Sequence, residues 1–550
     1  MNRRLLFTFF LATISFNVFA QKAPIASSNT LARPKLVVGI VVDQMRWDYL
    51  YRFYDVYAPN GGFKRLLNNG FSCDNTFVPY LPTVTAAGHT CVYTGSVPAL
   101  HGIVGNEWYD SKTGKTVYCA DDNSVQTVGS DNAAVGKMSP KNLWATTVTD
   151  ELRLATNFHS KVIGISAKDR AAIFPAGHAA NAAYWFDGKS GNFVTSTYYA
   201  NQLPQWLQDF NTKNLPDNYL SQTWNTLLDK SVYEKYCDTD NNDYENDGVF
   251  GSASFPHDLQ KFKGKSKGSL IGTPFGNNLV EELAKAVVAG EQMGKHDVTD
   301  FLAISFSSTD YVGHSFGPNS WEVMDVYLRL DQSLSDLFDY LDKTVGKNQY
   351  TVFLTADHAG AHVPAFLNKH HLPGSILSST QIKKDLQSFT QERFGANLIN
   401  VVEEYDVYLN HSAIDSMKLK EEDVTKAVIE HLLKNDDVLN AVDTRNAGNT
   451  ALPAKVREMV INGYNAVRSG DIRIIAKAGV MDSDYKKGIN HGVWYNYDSH
   501  IPLLWYGWGI KQGRTTRETY MTDIAPTVAA LLHIQMPNAA IGKVIEEVGK

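Results

Sequence analysis

The 550-residue chain is poor in cysteine, in excess positive charge and in long apolar runs, and each shortage removes a class of protein. Its four cysteines, Cys73, Cys91, Cys119 and Cys237, show no CxxC spacing, which argues against thiolate metal ligands; they read as candidate disulfide partners in an oxidising compartment. Lys and Arg number 51 against 58 Asp and Glu, a net charge of −7. That balance speaks against broad nucleic-acid binding, which needs cations to displace phosphate counterions, but leaves room for a locally basic pocket. Beyond the N-terminus no stretch is apolar enough to cross a membrane, and no internal repeat is present. The acidic run Asp238, Asp240, Asp243, Glu245 and Asp247 lacks the glycine and terminal glutamate of an EF-hand loop, so it reads as a solvated acidic loop.

At the N-terminus, Arg3 and Arg4 precede the apolar run Leu5 to Ala12, and Val18-Phe19-Ala20 suits cleavage before Gln21. Thr13, Ser15 and Asn17 interrupt the run before the roughly 20 residues that a membrane anchor needs. Residues 1–20 are therefore expected to be a cleaved export signal and 21–34 a linker, with one catalytic domain over 35–550. No cysteine lies near the cleavage point, which argues against a lipid anchor. A periplasmic location is expected, with the extracellular medium equally compatible with export.

Short, nearly continuous apolar runs predict strands buried on both faces: Leu36 to Val42, Val162 to Ile165, Phe301 to Phe306, Thr351 to Leu354 and Ile472 to Ile475. Helical periodicity lies between them, as in Tyr327, Leu330, Leu334, Leu337, Phe338 and Leu341. The predicted class is α/β, a mostly parallel central sheet flanked by helices on both faces, with inserted segments at about 200–270 and 365–465.

In such sheets ligands bind beyond the carboxyl ends of the strands. There the chain places Asp43, then Asp310 and His314, then Asp357 and His358, and finally His491, so three carboxylates and three imidazoles are expected on one sheet edge. Each alone has an ordinary structural role as a cap or a hydrogen-bonded residue. Together the carboxylates would repel one another unless cations neutralise them. Mixed carboxylate and imidazole donors suit zinc, manganese or iron, and six donors divide into two open three-donor sites. Thr85 precedes a predicted helix, where free N–H groups and the helix dipole attract phosphate. It is a plain N-cap unless a metal activates its hydroxyl.

Val41-Val42-Asp43-Gln44-Met45-Arg46-Trp47-Asp48, Pro82 to Thr90 (PTVTAAGHT), His101 to Asn106, Ser308 to His314 and Ala356-Asp357-His358 resemble the alkaline phosphatase superfamily, from about Arg33 to the C-terminus. Within it they are similar to the bacterial phosphate-irrepressible alkaline phosphatases with a threonine nucleophile. The resemblance implies two zinc ions, one on Asp310, His314 and His491 and the other on Asp43, Asp357 and His358, with Thr85 as a further ligand of the second. It implies that Thr85 forms a covalent phosphothreonine, that Asn106 donates to a phosphoryl oxygen, and that Lys168 and Arg170 clamp the phosphoryl group. Such a clamp favours monoester dianions. No Cys/Ser-x-Pro-x-Arg sulfatase signature follows Thr85.

The expected substrates are small phosphate monoesters, with inorganic phosphate as product and inhibitor, acting on a monomer without nucleic-acid or membrane partners. Two alternatives stay open at this point: a phosphodiesterase or nucleotide pyrophosphatase, and a secreted zinc- or phosphate-binding protein without turnover.

Overall fold

Leu36–Val42 is buried along its whole length, as an inner strand of a covered sheet must be. It pairs in parallel with Asp300–Phe306 on one edge and with Tyr350–Thr355 on the other. Asp300–Phe306 in turn pairs in parallel with Val162–Ser166, and that strand with Ala182–Asp187. These strands form the centre of a ten-stranded sheet with antiparallel pairings further out, such as Tyr350–Thr355 with Leu503–Gly507. The mostly parallel α/β sheet read from sequence is therefore present in this computed structural model, which describes residues 31–247 and 250–549. The leader expected at 1–20 lies outside the described residues, as does the expected linker up to residue 30. Among the described residues, no helix is long and apolar enough to cross a membrane.

The threes-and-fours periodicity becomes the buried face of Trp321–Leu341, where Tyr327, Leu330, Leu334, Leu337, Phe338 and Leu341 all leave solvent. Each such side chain contributes about 1.5–3 kcal/mol when fully buried. The helix Thr85–Thr94 carries small residues where it meets the sheet, because space there is short. A Cβ on Gly88 would stand 2.4 Å from the Asp357 backbone oxygen, and one on Gly39 would stand 2.4 Å from the Tyr93 hydroxyl. Tyr93 donates that hydroxyl to the Gly39 carbonyl at 3.3 Å. The helix is thus fastened to the central strand whose end carries Asp43.

Three expectations need correction. Ile472–Ala476 is a strand, but it pairs antiparallel with Asp406–Leu409 and Val438–Asp443 in a separate four-stranded sheet. That sheet has its own apolar core, including Leu386, Leu398, Val424, Val428 and Ile474, and is the body of a cap inserted after Tyr350–Thr355. A hydrophobic run reports burial without saying in which core. The earlier insertion differs, since its Leu207, Phe210, Leu220, Trp224 and Tyr233 join the main core.

The acidic run is not a solvated loop at its centre. Glu245 is 1% exposed, and burial pushes its carboxyl up to about 8. The neighbouring backbone is tied to the site region by Asn246 N to Ser315 O at 2.8 Å and Gly488 N to Tyr244 O at 3.0 Å.

The cysteines are not disulfide-bonded; all four are free thiols. Each serves as a small apolar side chain in its own packing, Cys73 and Cys91 in the main core and Cys119 beside Trp108 and Phe174. Burial pushes the Cys73 and Cys237 thiols up to about 12, which suppresses the reactive thiolate. Alkylation of the denatured, unreduced protein should label four thiols per chain by mass spectrometry. A mass corresponding to two labels would show a disulfide that this packing does not contain.

Candidate active site

Two groups of donors meet beyond the carboxyl ends of the central strands. Asp310, His314 and His491 form one, and Asp43, Asp357 and His358 the other, with donor atoms in each group within 4.8 Å of one another. Asp310 and His314 share a face of the helix Ser308–Phe316, one turn apart. The two groups differ in access. Asp43, Asp357 and His358 are 0% exposed, whereas Asp310, His314 and His491 line a cavity of about 150 Å³.

All three imidazoles are pinned in the same way. Nδ1 of His314 donates to the Ile489 carbonyl at 2.8 Å, that of His358 to Ala359 at 2.9 Å, and that of His491 to Thr83 at 2.6 Å. Each Nε2 is thereby left with a free lone pair, the state a metal ligand needs. Burial holds His358 below the usual histidine range, and burial with the neighbouring His358 and His314 does the same to His491. For His314 burial pulls the same way, but Asp310 at 3.1 Å outweighs it and raises the value.

The carboxylates respond to being crowded. Burial, then Asp310 and Asp357, raise Asp43 well above the carboxylate range. Asp310 is held well below it, burial notwithstanding, by His314 and Lys168. Asp43 Oδ1 is buried with no hydrogen-bond donor, and so is Asp357 Oδ2. His89 Nδ1 lies 3.3 Å from that Asp357 oxygen, but its proton has the Thr85 carbonyl as acceptor at 2.9 Å. Buried anionic oxygens without donors call for a cation.

Thr85 opens the helix Thr85–Thr94 instead of capping it; Val84 is the N-cap and makes no side-chain cap bond. The cap comes from elsewhere, because Asn106 Oδ1 accepts from Ala86 N at 3.1 Å. The Asn106 NH₂ group is thereby fixed as a donor on the other side of the amide. The Thr85 hydroxyl is 3.5 Å from His358 Nε2 and, with Asn106 and Arg170, lines the cavity. Tyr118 holds Arg170, accepting from Nη1 at 3.1 Å and donating to Asp169 at 2.5 Å. Lys168 Nζ reaches Asp43 Oδ2 at 2.7 Å and Asp310 Oδ2 at 2.6 Å, so it bridges the two donor groups.

His491 arrives on a segment leaving the cap, not from the edge of the central sheet. Sequence reading also missed Gln44, whose backbone N donates to Asp357 at 3.2 Å and whose Nε2 donates to Asp310 at 2.7 Å. Its φ of 63° is costly for a residue with a side chain, by about 1–3 kcal/mol, and tight contacts hold it there. Its place directly after Asp43 was the available signal. Asp498, which accepts from Gly492 N at 2.9 Å and Val493 N at 3.0 Å, steadies the His491 segment and left no trace in spacing.

Residues 37–497 match the family of type I phosphodiesterases and nucleotide pyrophosphatases. The chain belongs to that family, within the alkaline phosphatase superfamily, and is a hydrolase. It is 51% identical to alkaline phosphatase PafA of Elizabethkingia meningoseptica, over 95% of both chains. It is likewise 51% identical to alkaline phosphatase PhoV of Synechococcus elongatus, over 96% of both. The crystal structure of wild-type PafA superposes with a TM-score of 0.93, covering 95% of this chain and 100% of that one.

Gly88→Ala should push the Thr85 helix off Asp357, lowering stability by about 1–3 kcal/mol and hydrolytic turnover by about tenfold or more. Thermal unfolding and steady-state kinetics on one preparation check this. Full turnover with a lowered Tm would show that the helix position does not matter to the reaction.

Proposed function

We propose that the protein is an exported alkaline phosphatase that hydrolyses phosphate monoesters through a covalent intermediate on Thr85, with two zinc ions per chain. The observation that carries this reading is the position of Thr85 at a helix start, its hydroxyl 3.5 Å from His358 of one three-donor group and lining one cavity with Asp310, His314 and His491 of the other. The 51% identity to two proteins named alkaline phosphatase supports the activity. The donor set fits zinc, since neutral imidazoles and carboxylates around open positions match its preferences. Asp310, His314 and His491 would hold one ion, and Asp43, Asp357, His358 and Thr85 the other. When bound, such ions supply positive charge that lowers the pKa of a hydroxyl and offsets charge on a departing alkoxide.

The chain's own groups account for the remaining steps. The N-terminal N–H groups of the Thr85 helix and the Asn106 amide receive phosphoryl oxygens, and Arg170 adds charge to the same cavity. The Thr85 oxygen forms a bond to phosphorus as the ester oxygen departs, giving phosphothreonine and the free alcohol. Water then forms a bond to phosphorus as the threonine oxygen leaves, releasing inorganic phosphate, which fits the same cavity and so inhibits. The Asn106 bond to Ala86 N and the close packing of Gly88 on the Asp357 backbone keep the threonine from drifting between the two events. Lys168, bridging Asp43 and Asp310, is proposed to tie the two donor groups together and, with Arg170, to favour dianions. We further propose a periplasmic monomer, released after removal of residues 1–20.

The family description also favours a second reading, diester hydrolysis. Comparing an aryl monophosphate with its methyl diester separates the two. Chelation should abolish monoester hydrolysis and zinc should restore it, with metal content measured in parallel; undiminished turnover by metal-free protein would refute the metal requirement. Thr85→Ala should lose about 10³-fold or more in kcat while still binding phosphate. Replacing Lys168 and Arg170 together by Ala should lower monoester kcat/KM by at least about 10²-fold more than diester kcat/KM, and equal losses would remove the basis for the word monoesterase.

A further inference from the structure

A tight turn of the cap enters the active-site cavity. Strand Ile399–Glu403 returns as Asp406–Leu409 through Glu404 and Tyr405, and both turn residues are left-handed, at φ 48° and 66°. Asparagine and glycine are the usual occupants of such a turn, because longer side chains clash with their own backbone there. The surroundings hold it nonetheless. Ile474 N donates to the Tyr405 carbonyl at 2.8 Å, Asp482 N to the Tyr405 hydroxyl at 2.7 Å, and Arg473 Nη2 to Asp406 at 2.7 Å. Strain kept in place by several contacts points to a use for the side chains it presents.

Those side chains line the cavity that holds Thr85, Asn106 and Arg170. The Glu404 carboxyl lies against the residue before Asn106, its Oε2 2.7 Å from where a Gly105 Cβ would stand. Asp482 is the cap's other carboxylate in the cavity wall, but it is occupied, accepting from Ser379 N at 3.0 Å and Ser379 Oγ at 2.5 Å. Among the described residues, no hydrogen bond or ion pair engages the Glu404 carboxylate, so it faces whatever enters.

We propose that Glu404 is a specificity-determining residue that disfavours phosphate monoesters with further negative charge on the alcohol and favours those of neutral or cationic alcohols. The inference rests on the phosphatase reading above. A unit charge in so small a cavity meets every part of a substrate within a few ångströms of it. Its repulsion of the phosphoryl group is common to all monoesters and cancels in a comparison among them. What remains is the interaction with the leaving group. The negative charge of the cap tip thus complements the Arg170 cation that lines the same cavity.

The test compares kcat/KM for phosphocholine, glycerol phosphate and 3-phosphoglycerate in the zinc-loaded wild type, Glu404→Gln and Glu404→Lys. Burial and the neighbouring Glu403 push the Glu404 carboxyl up to about 8, so assays at a pH about one unit above this, at low ionic strength, read the ionised group. The preference for phosphocholine over 3-phosphoglycerate should fall by at least about fivefold in Glu404→Gln and further in Glu404→Lys. Glycerol phosphate should lie between, and salt should shrink the wild-type preference. A ratio that stays within about twofold across the series, or equal losses on all three substrates, would overturn the proposal and leave the phosphatase reading standing. A wild type inactive on all three would overturn both. Because the response must follow charge from −1 through 0 to +1, a merely structural effect of the turn would not reproduce it.

Discussion

Three buried carboxylates at one edge of one sheet, Asp43, Asp310 and Asp357, set the terms for everything around them. At about 4 Å, two unit charges repel by about 4 kcal/mol at an effective dielectric of 20, so the fold must place positive or polarisable partners between them. Lys168 bridges two, Gln44 donates to two, and the three imidazoles crowd in, with His314 Nε2 3.1 Å from Asp310. Even so, one oxygen of Asp43 and one of Asp357 receive no hydrogen bond. A protein keeps such a cluster only where a use offsets its cost, and hydrolysis at phosphorus with bound cations is such a use.

The geometry divides labour between the two cores. The central sheet fixes Asp43, Asp357 and His358 just beyond rigid strand ends, and Asp310 on the helix that follows Asp300–Phe306. The cap, with its own core and sheet, contributes Glu404 and Tyr405 at a hairpin tip, and the segment leaving it contributes His491. The donors that the superfamily resemblance assigns to the reaction are thereby separated from the cap residues that line the same cavity.

Thr85 shows how much of a residue's position comes from its supports. Its helix needs a side-chain cap, and Asn106 supplies one with the oxygen of its amide, which leaves the nitrogen as a donor at the same place. Its position against Asp357 requires Gly88, and its link to the central strand requires Gly39 beneath Tyr93. Arg170 is likewise held by Tyr118, which hydrogen-bonds Asp169 next in sequence to Lys168. Donors fixed before a substrate arrives need no reorganisation when charge moves, which is the main source of electrostatic stabilisation in such sites.

Four of the five apolar runs were legible as central strands, because a strand buried on both faces leaves an uninterrupted hydrophobic signature. The residues after three of them, Asp43, Asp310 with His314, and Asp357 with His358, followed from the rule that ligands bind beyond strand ends. Ile472–Ala476 carries the same signature but lies in the cap, since apolarity reports burial and not the identity of the core. The free cysteines, the buried Glu245, the bridging position of Lys168 and the entry of Glu404 into the cavity were equally beyond the sequence. Each depends on a partner more than a hundred residues away, or on the packing that encloses it, and no local pattern encodes such a distance. Sequence alone thus determined the chemistry available at the strand ends. Tertiary structure decided which donors stand together, which carboxylate of the cap lines the cavity unpaired, and how far the cap reaches toward the strand ends.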